Sequence, residues 1–439
     1  MHLNLLRMIA CLVCSSGVAA QSFSSSEPSA APAPVATAPS LVGGLVKAFD
    51  KARQVDPLYL AGMAEFEGNK IDARAAGMAF LPQVTLASSQ LQNESGGRRS
   101  SLTVSQPLLD IEKLATWRSQ DPKDLSASAQ FAVRQADLAQ RLFTAYSSGL
   151  MALEGLAQGK VRSSALDQQV KSAKRLLELS RGTVTDVRDA QVKFLRAKSD
   201  ELKFRADLEA AQRLYLSIVG ESPVLATPAL LTRQEGLTET LLADVRRSVT
   251  SDQTALDANP EVVLARQQGK LAELDAYKAK YAWMPLVSGT YTASSLDGNV
   301  TKFTGITLSM PLEAGDYYKT KSAAAAYVKV AQEVRDKERQ VALNIDQLRT
   351  TLQLGISELV ARQTAVEAAE LSVTANDKSF KGGVRTMADV LNSIEVLYTV
   401  KSELVQTVLA FADKLLQLRL AEGKPASDVL AEVESFLAL

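Results

Sequence analysis

Two short stretches of this chain, 203 residues apart, constrain its fold more than any other feature. Gly182–Asp189 reads Gly-Thr-Val-Thr-Asp-Val-Arg-Asp, and Lys381–Asn392 reads Lys-Gly-Gly-Val-Arg-Thr-Met-Ala-Asp-Val-Leu-Asn. Thr-Asp-Val at 185–187 matches Ala-Asp-Val at 388–390, and each stretch joins two long runs of helical composition. Three other landmarks keep the same order. Asp56-Pro57 matches Asn259-Pro260 and Leu81-Pro82 matches Met284-Pro285, both at 203 residues. Thr103-Val-Ser-Gln-Pro-Leu matches Thr307-Leu-Ser-Met-Pro-Leu at 204. A period this long is not that of a solenoid. It predicts one unit of about two hundred residues present twice, with a tight helix-to-helix turn at the far end of each copy.

Each copy reads alike along the chain. Leu45, Ala48, Phe49, Ala52 and Val55 have the spacing of a short amphipathic helix, and Asp56-Pro57 stops it and starts another that runs to about Ala79. Leu81-Pro82 ends that helix. Gln83–Gln90 and Ser101–Gln106 then alternate with period two around the polar, Gly-rich loop 93–100, which predicts a β-hairpin. Val287–Ala293 and Thr304–Met310 repeat the pattern around 294–301. A long helix follows each hairpin, over about 111–180 with Pro122 as the expected kink, and over about 316–380. Helices of that length span about 100 Å, longer than a globular core, so they must pack as coiled coils. The returning helices, 184–219 and 386–421, are half as long. Each would need the pre-hairpin helix, end to end with it, to cover its long partner. The segments 220–258 and 423–439 are expected to pack outside these helices, the first with a short helix near Leu241–Val249.

The amino-terminal residues carry their own reading. Met1–Ala20 has Arg7, an apolar core and Val-Ala-Ala before Gln21, the pattern of a secretory signal. The alternative is a lipoprotein signal acylated at Cys11. Residues 21–40 form a Ser/Ala/Pro-rich leader. Cleavage after Ala20 would remove His2, Cys11 and Cys14, the whole complement of histidine and cysteine. No disulfide, thiolate nucleophile, His base or Cys/His metal site would then remain, so no cofactor or metal is expected and an enzyme is disfavoured. A formal net charge of zero gives no polycation for nucleic acid.

The strands separate the functional readings. Four strands on a secreted chain could form two small hairpins packed on helices. They could instead be part of a membrane barrel, which must close because lipid cannot satisfy an open edge. Four strands are too few to close where the smallest barrels have about eight, so copies of the chain would have to share one. A periplasmic coiled-coil adaptor without a pore is the other non-enzymatic alternative.

Leu-Pro-Gln at 81–83, Ser-Gln-Pro-Leu-Leu-Asp at 105–110, Thr-Asp-Val at 185–187 and Gly-Val-Arg-Thr-Met-Ala-Asp-Val-Leu-Asn at 383–392 resemble the TolC family of outer-membrane efflux and secretion channels. The last motif is closer to the type I secretion branch. The resemblance implies a mainly α fold with a small β part. Internally duplicated α-helical hairpins and two β-hairpins would contribute to a trimeric, twelve-stranded outer-membrane barrel and a periplasmic α-barrel. It divides the chain into a first repeat at 41–235 (β-hairpin 83–106, coiled-coil hairpin 111–219) and a second at 236–439 (286–310, 316–421 and the segment 423–439). It also implies a homotrimer in outer-membrane lipid, working with a periplasmic adaptor and an inner-membrane ABC or RND transporter to export proteins or small molecules. Its periplasmic tip would be held shut by polar links. Arg385 takes the arginine position of that gate, Thr185 and Asp186 the partner positions on the other hairpin. Phe380 stands where the family has a tyrosine. Asp389 takes the first of two constriction carboxylates and Asn392 the second, with loss of one ring of charge. On the residues alone, Arg385 and Asp389 are four apart, the spacing of one helical face.

Overall fold

The computed structural model describes residues 44–91, 97–223, 255–296, 299–310 and 315–438. The signal, Cys11, the leader and the expected helix near Leu241–Val249 lie outside the described residues, as do the centres of both hairpin loops.

Helices α1 (Gly44–Val55) and α2 (Pro57–Gly77) are divided at Asp56, whose carboxylate accepts the Tyr59 N–H at 2.9 Å. Proline follows at the first helical position, where its missing N–H is no loss. Asp56 is buried, and Arg141 donates to both of its oxygens at 3.2 and 2.8 Å. Burial pushes the Asp56 carboxyl up, but Arg141 and the Tyr59 amide pull it further down, so it ends below its ordinary value. The second copy repeats the device with an uncharged residue. Asn259 caps α7 (Pro260–Lys280), accepting from the amides of Glu261 and Val262, while its own amide donates to Ala421 O at 2.7 Å. A short α6 (Ala255–Ala258) precedes it.

Four strands follow these caps: β1 (Gln83–Leu91), β2 (Gly97–Leu109), β3 (Leu286–Leu296) and β4 (Asn299–Ser309). They form a single antiparallel sheet in the order β1-β2-β3-β4. The two copies thus join through β2 and β3, which sequence spacing could not reveal. The strands also outrun the alternating segments on which they were expected. β2 continues through Pro107 to Leu109, where the register with β3 slips between Pro107 and Leu109. A residue without an N–H is tolerated at such an irregularity.

The helix after β2 is interrupted, though not at Pro122. It divides at Ser119 into α3 (Ile111–Arg118) and α4 (Gln120–Glu178). Pro122 lies in the first turn of α4, where a missing amide costs nothing because no intrahelical acceptor exists for it. α4 pairs with α5 (Val184–Val219) over one part of its length and with α2 over another. The second copy matches this: α8 (Asp316–Lys381), 66 residues and about 100 Å long, pairs with α9 (Met387–Ala421) and with α7. α7 also packs on α4, and α9 on α4, which binds the two copies together.

The main core lies where α1, α4, α8, α9 and the last helix α10 (Ala426–Ala438) converge, around Phe143, Leu142, Leu352, Leu415, Leu416 and Leu430. Here α10 completes the first copy's leading helix. The Glu434 carboxylate accepts the amides of Gly44, Leu45 and Val46 at 2.6, 3.1 and 3.3 Å, filling otherwise unsatisfied donors at the start of α1. Glu434→Ala is therefore expected to cost about 1 kcal/mol, the usual loss on removing a helix cap. A lowered melting temperature with faster amide exchange over 44–50 would be the readout.

Candidate functional site

Two regions carry the chemistry: the sheet, and the turns at the opposite end of the helical hairpins.

Directly opposed residues in an antiparallel ladder share a face. One face of the sheet carries Val84, Leu86, Leu102, Val104, Tyr291, Ile306 and Leu308. Most of these are well exposed, Leu86 at 79% and Ile306 at 76%. The other face carries Thr85, Ser101, Thr103, Ser105, Thr290, Thr292, Ser294, Thr301 and Thr307. Their hydroxyls meet across strands: Thr103 to Thr292 at 3.3 Å, Thr290 to Thr307 at 3.3 Å and Ser294 to Thr301 at 2.8 Å. Phe303 is an exception on that face. Its ring lies over Gly305, where an added Cβ would come within 2.7 Å of the ring. Lys302 and Thr304 on β4 interrupt the apolar face in turn; elsewhere the alternation of apolar outside with polar inside is that of a transmembrane β-barrel strand.

The outer strands β1 and β4 have no partner on their far sides among the described residues. Large aromatic residues cluster where the sheet meets the helices. Trp117, Trp283, Tyr317 and Tyr318 are each about half to three-quarters exposed, and the Tyr277 and Tyr281 rings lie tilted with centres 4.7 Å apart. Such rings mark a membrane–water boundary. They are spread over three chain segments, 117, 277–283 and 317–318, which no local pattern connects. No helix among the described residues is long and apolar enough to cross a membrane.

At the other end, the α4–α5 and α8–α9 turns are built identically. Each long helix ends in a Schellman motif. The Arg181 amide bonds Leu176 O and the Ser180 amide bonds Leu177 O; in the second copy Val384 bonds Ser379 O and Gly383 bonds Phe380 O. The left-handed position is Ser180 (φ 57°) in the first turn and Gly383 (φ 76°) in the second. Each following helix opens with a capping box. The Thr183 hydroxyl accepts the Asp186 amide at 3.1 Å, and the Asp186 carboxylate accepts the Thr183 amide at 3.0 Å. Thr386 and Asp389 repeat this at 3.3 and 3.0 Å. Hydrogen bonds from the threonines hold both carboxyls below their ordinary value, so their support of the turns persists at neutral pH and is lost only on strong acidification.

Ser180 carries a Cβ in a conformation that favours glycine at a cost of about 1 kcal/mol. Ser180→Gly, which copies the second turn into the first, is expected to stabilise the tip by about that amount and to slow its amide exchange.

This geometry places the expected gate residues as follows. Thr185 is exposed and is not the cap; Thr183 is. Asp186 and Asp389 are engaged within their own turns. Arg385 and Asp389 do not share a helical face. Gly383 ends α8, Thr386 caps α9, and Arg385 lies exposed between them. Phe380 is half-buried against an apolar cluster of Leu166, Val170, Val187, Met387 and Leu391, which joins the two hairpins at the tip. The Asn392 Oδ1 accepts from Lys193 Nζ on α5 at 2.7 Å.

A larger polar junction lies one turn above that cluster. Arg162 on α4 donates to Asp200 Oδ2 on α5 at 2.8 Å and to Glu395 on α9 through two nitrogens, and its guanidinium lies 4.4 Å from the Tyr398 ring centre. Burial opposes the Arg162 charge, and the two carboxylates more than offset that. These partners are 38 and 233 residues away, beyond any local sequence signal.

A two-faced sheet with open edges, set on helical hairpins about 100 Å long, defines an outer-membrane channel that extends into the periplasm. Residues 252–424 match the family described as "Outer membrane efflux protein". The chain is 24% identical over 414 residues to outer membrane protein TolC of Vibrio cholerae, covering 90% of this chain and 93% of that protein. It is also 24% identical over 409 residues to the alkaline protease secretion protein AprF of Pseudomonas aeruginosa, covering 87% and 84%. The fold is similar to the crystal structure of VceC from Vibrio cholerae, with a TM-score of 0.73 and 18% identity over 86% of this chain and 96% of that one. By these likenesses the chain is similar to the TolC-type outer membrane efflux proteins, which are channels rather than enzymes.

Proposed function

We propose that three copies of this chain close one twelve-stranded barrel and export protein substrates through it, drawing energy from an inner-membrane transporter coupled by a periplasmic adaptor. The observation that carries this reading is the sheet. Its apolar face suits lipid, its hydroxyl face suits a water-filled lumen, and its open β1 and β4 edges need partners that only another copy supplies within the bilayer. Protein cargo is favoured because AprF and the PrtF of Dickeya chrysanthemi, 26% identical over 339 residues, are both named for protease secretion. An ABC transporter is the corresponding inner-membrane partner; small-molecule efflux with an RND transporter is the second reading.

In this proposal the two turns form the periplasmic gate. Arg385, exposed and outside both helices, is free to reach the neighbouring copy's first turn, around Thr185 and Asp186. Asp389 supplies a ring of three carboxylates at the axis. At the level of Asn392, Lys193 adds positive charge in place of a second acidic ring. Phe380 acts by packing. The proposed domains are the two repeats, 41–235 and 236–439, behind a cleaved signal at 1–20 and a leader at 21–40.

The test is to size the detergent-purified chain and record single-channel currents in planar lipid bilayers. Trimers with small, cation-selective steps that grow in Arg385→Ala fit the proposal. Steps indifferent to Arg385→Ala would remove the gate assignment, and folded protein without steps would remove the pore.

A further inference from the structure

The hairpins α4/α5 and α8/α9 do not pack evenly along their shared length. Leu150 meets Val405 and Leu409 at one level, and Leu166, Val170 and Ala173 meet Met387 and Leu391 at another, nearer the tip. Beside them, from Glu154 to Gln169 on α4, runs a groove of about 600 Å³ walled by α4, α8 and α9. Gln158 is buried on its wall with neither amide atom in a hydrogen bond among the described residues. A region with an unsatisfied buried amide and an open groove is poorly fixed, so it is where two rigid hairpins can shift against one another.

Arg162 stands about midway along that groove. Its side chain is 10% exposed and joins three helices: its own, α5 through Asp200, and α9 through Glu395 and the Tyr398 ring. We propose that Arg162 is the positioning residue that holds the α8/α9 hairpin against the α4/α5 hairpin and thereby sets the closure of the tip. The inference rests on reading the tip as a gate, and concerns how that gate is held.

The chemistry favours a two-position joint. A planar guanidinium serves Asp200 and Glu395 together through its fork of donors, which one ammonium cannot do. Such paired contacts are made or broken as a unit. When α9 leaves, water must enter to solvate the charges, and the groove beside Arg162 is where it would enter. The tip cluster is an apolar contact that does not select partners, so the ionic junction and the Lys193–Asn392 bond are the specific elements of that contact.

The experiment compares full-length Arg162→Gln, Arg162→Lys, Glu395→Gln and the double Arg162→Gln/Glu395→Gln variant in planar bilayers, with Arg385→Ala as reference and trimer melting as the folding control. Arg162→Gln and Glu395→Gln are each expected to raise mean single-channel conductance by about threefold or more, as a mostly closed two-state element does when its closed form loses a specific contact. The double variant should add little beyond either single, and Arg162→Lys should fall between them and wild type. A merely structural role would lower the melting temperature and leave conductance alone. Should Arg162→Gln not fold, Glu395→Gln keeps Arg162 and its bond to Asp200 and carries the test. Folded Glu395→Gln with wild-type conductance, beside an enlarged Arg385→Ala, overturns the proposal while the gate stands. Wild-type conductance in all variants overturns both together.

Discussion

Leu86→Arg is expected to abolish accumulation of the protein in the outer membrane, whereas Thr85→Arg, one residue earlier, should leave it there. The two side chains point to opposite faces of β1. Leu86 is opposed by Leu102, and next across by Ala293, on the apolar face. Thr85 is opposed by Thr103 and then Thr292, on the hydroxyl face. An arginine on the lipid face of a barrel costs about 2–4 kcal/mol near the midplane, and a trimer would carry it three times. That is comparable with the whole net stability of an ordinary domain, about 5–15 kcal/mol. Arginine in a wet lumen keeps its solvation, so Thr85→Arg should alter ion selectivity and little else. Ile306→Arg on β4 should behave as Leu86→Arg does. The measurement is the amount of trimer in outer-membrane fractions. Equal loss for both β1 variants would mean that the faces are assigned wrongly.

The face assignment itself was only partly legible in the sequence. Alternation at Val84, Leu86, Leu102 and Val104 was visible, and so were the Asp56-Pro57 and Asn259-Pro260 helix starts, because these signals are local. Turn caps are local too, and the cap is Thr183 rather than Thr185. Thr185 lies beside the matching Asp-Val pair, but a capping box needs its hydroxyl three residues before the acid, which selects Thr183 and Thr386. The same correction explains Arg385. Its spacing from Asp389 implies a shared helical face only if 385–389 is one helix, and Gly383 with Thr386 prevents that. What pattern could not supply are contacts fixed by tertiary packing. These include the β2–β3 seam, the exposed aromatic residues at the foot of the sheet, Lys193 beside Asn392, and the ionic junctions at Arg162 and Arg419. The partners that define them, such as Glu395 for Arg162 and Glu432 for Arg419, lie beyond helical or strand spacing.

The Arg419 junction should show the second large effect. Arg419 on α9 is 3% exposed and donates to Glu432 on α10 through Nε and Nη2, the latter at 2.7 Å. It also donates to Glu422 at 3.1 Å, and Glu422 in turn accepts from Arg349 on α8 at 3.2 Å. Burial disfavours the Arg419 charge, and the two glutamates more than compensate. Removing one member of such a cluster strands the others, a cost of about 3–5 kcal/mol. Arg419→Ala should therefore release α10, and with it the Glu434 carboxylate that caps α1. Protease cleavage at Lys424 and loss of amide protection over both 426–438 and 44–50 would report the coupled release. Arg419→Met/Glu432→Leu should recover much of the loss, because an apolar pair of similar volume replaces a buried ion pair at little net cost, while Glu422 keeps Arg349. If the double variant were as unstable as Arg419→Ala, the junction would matter for its charges rather than for the space that it fills.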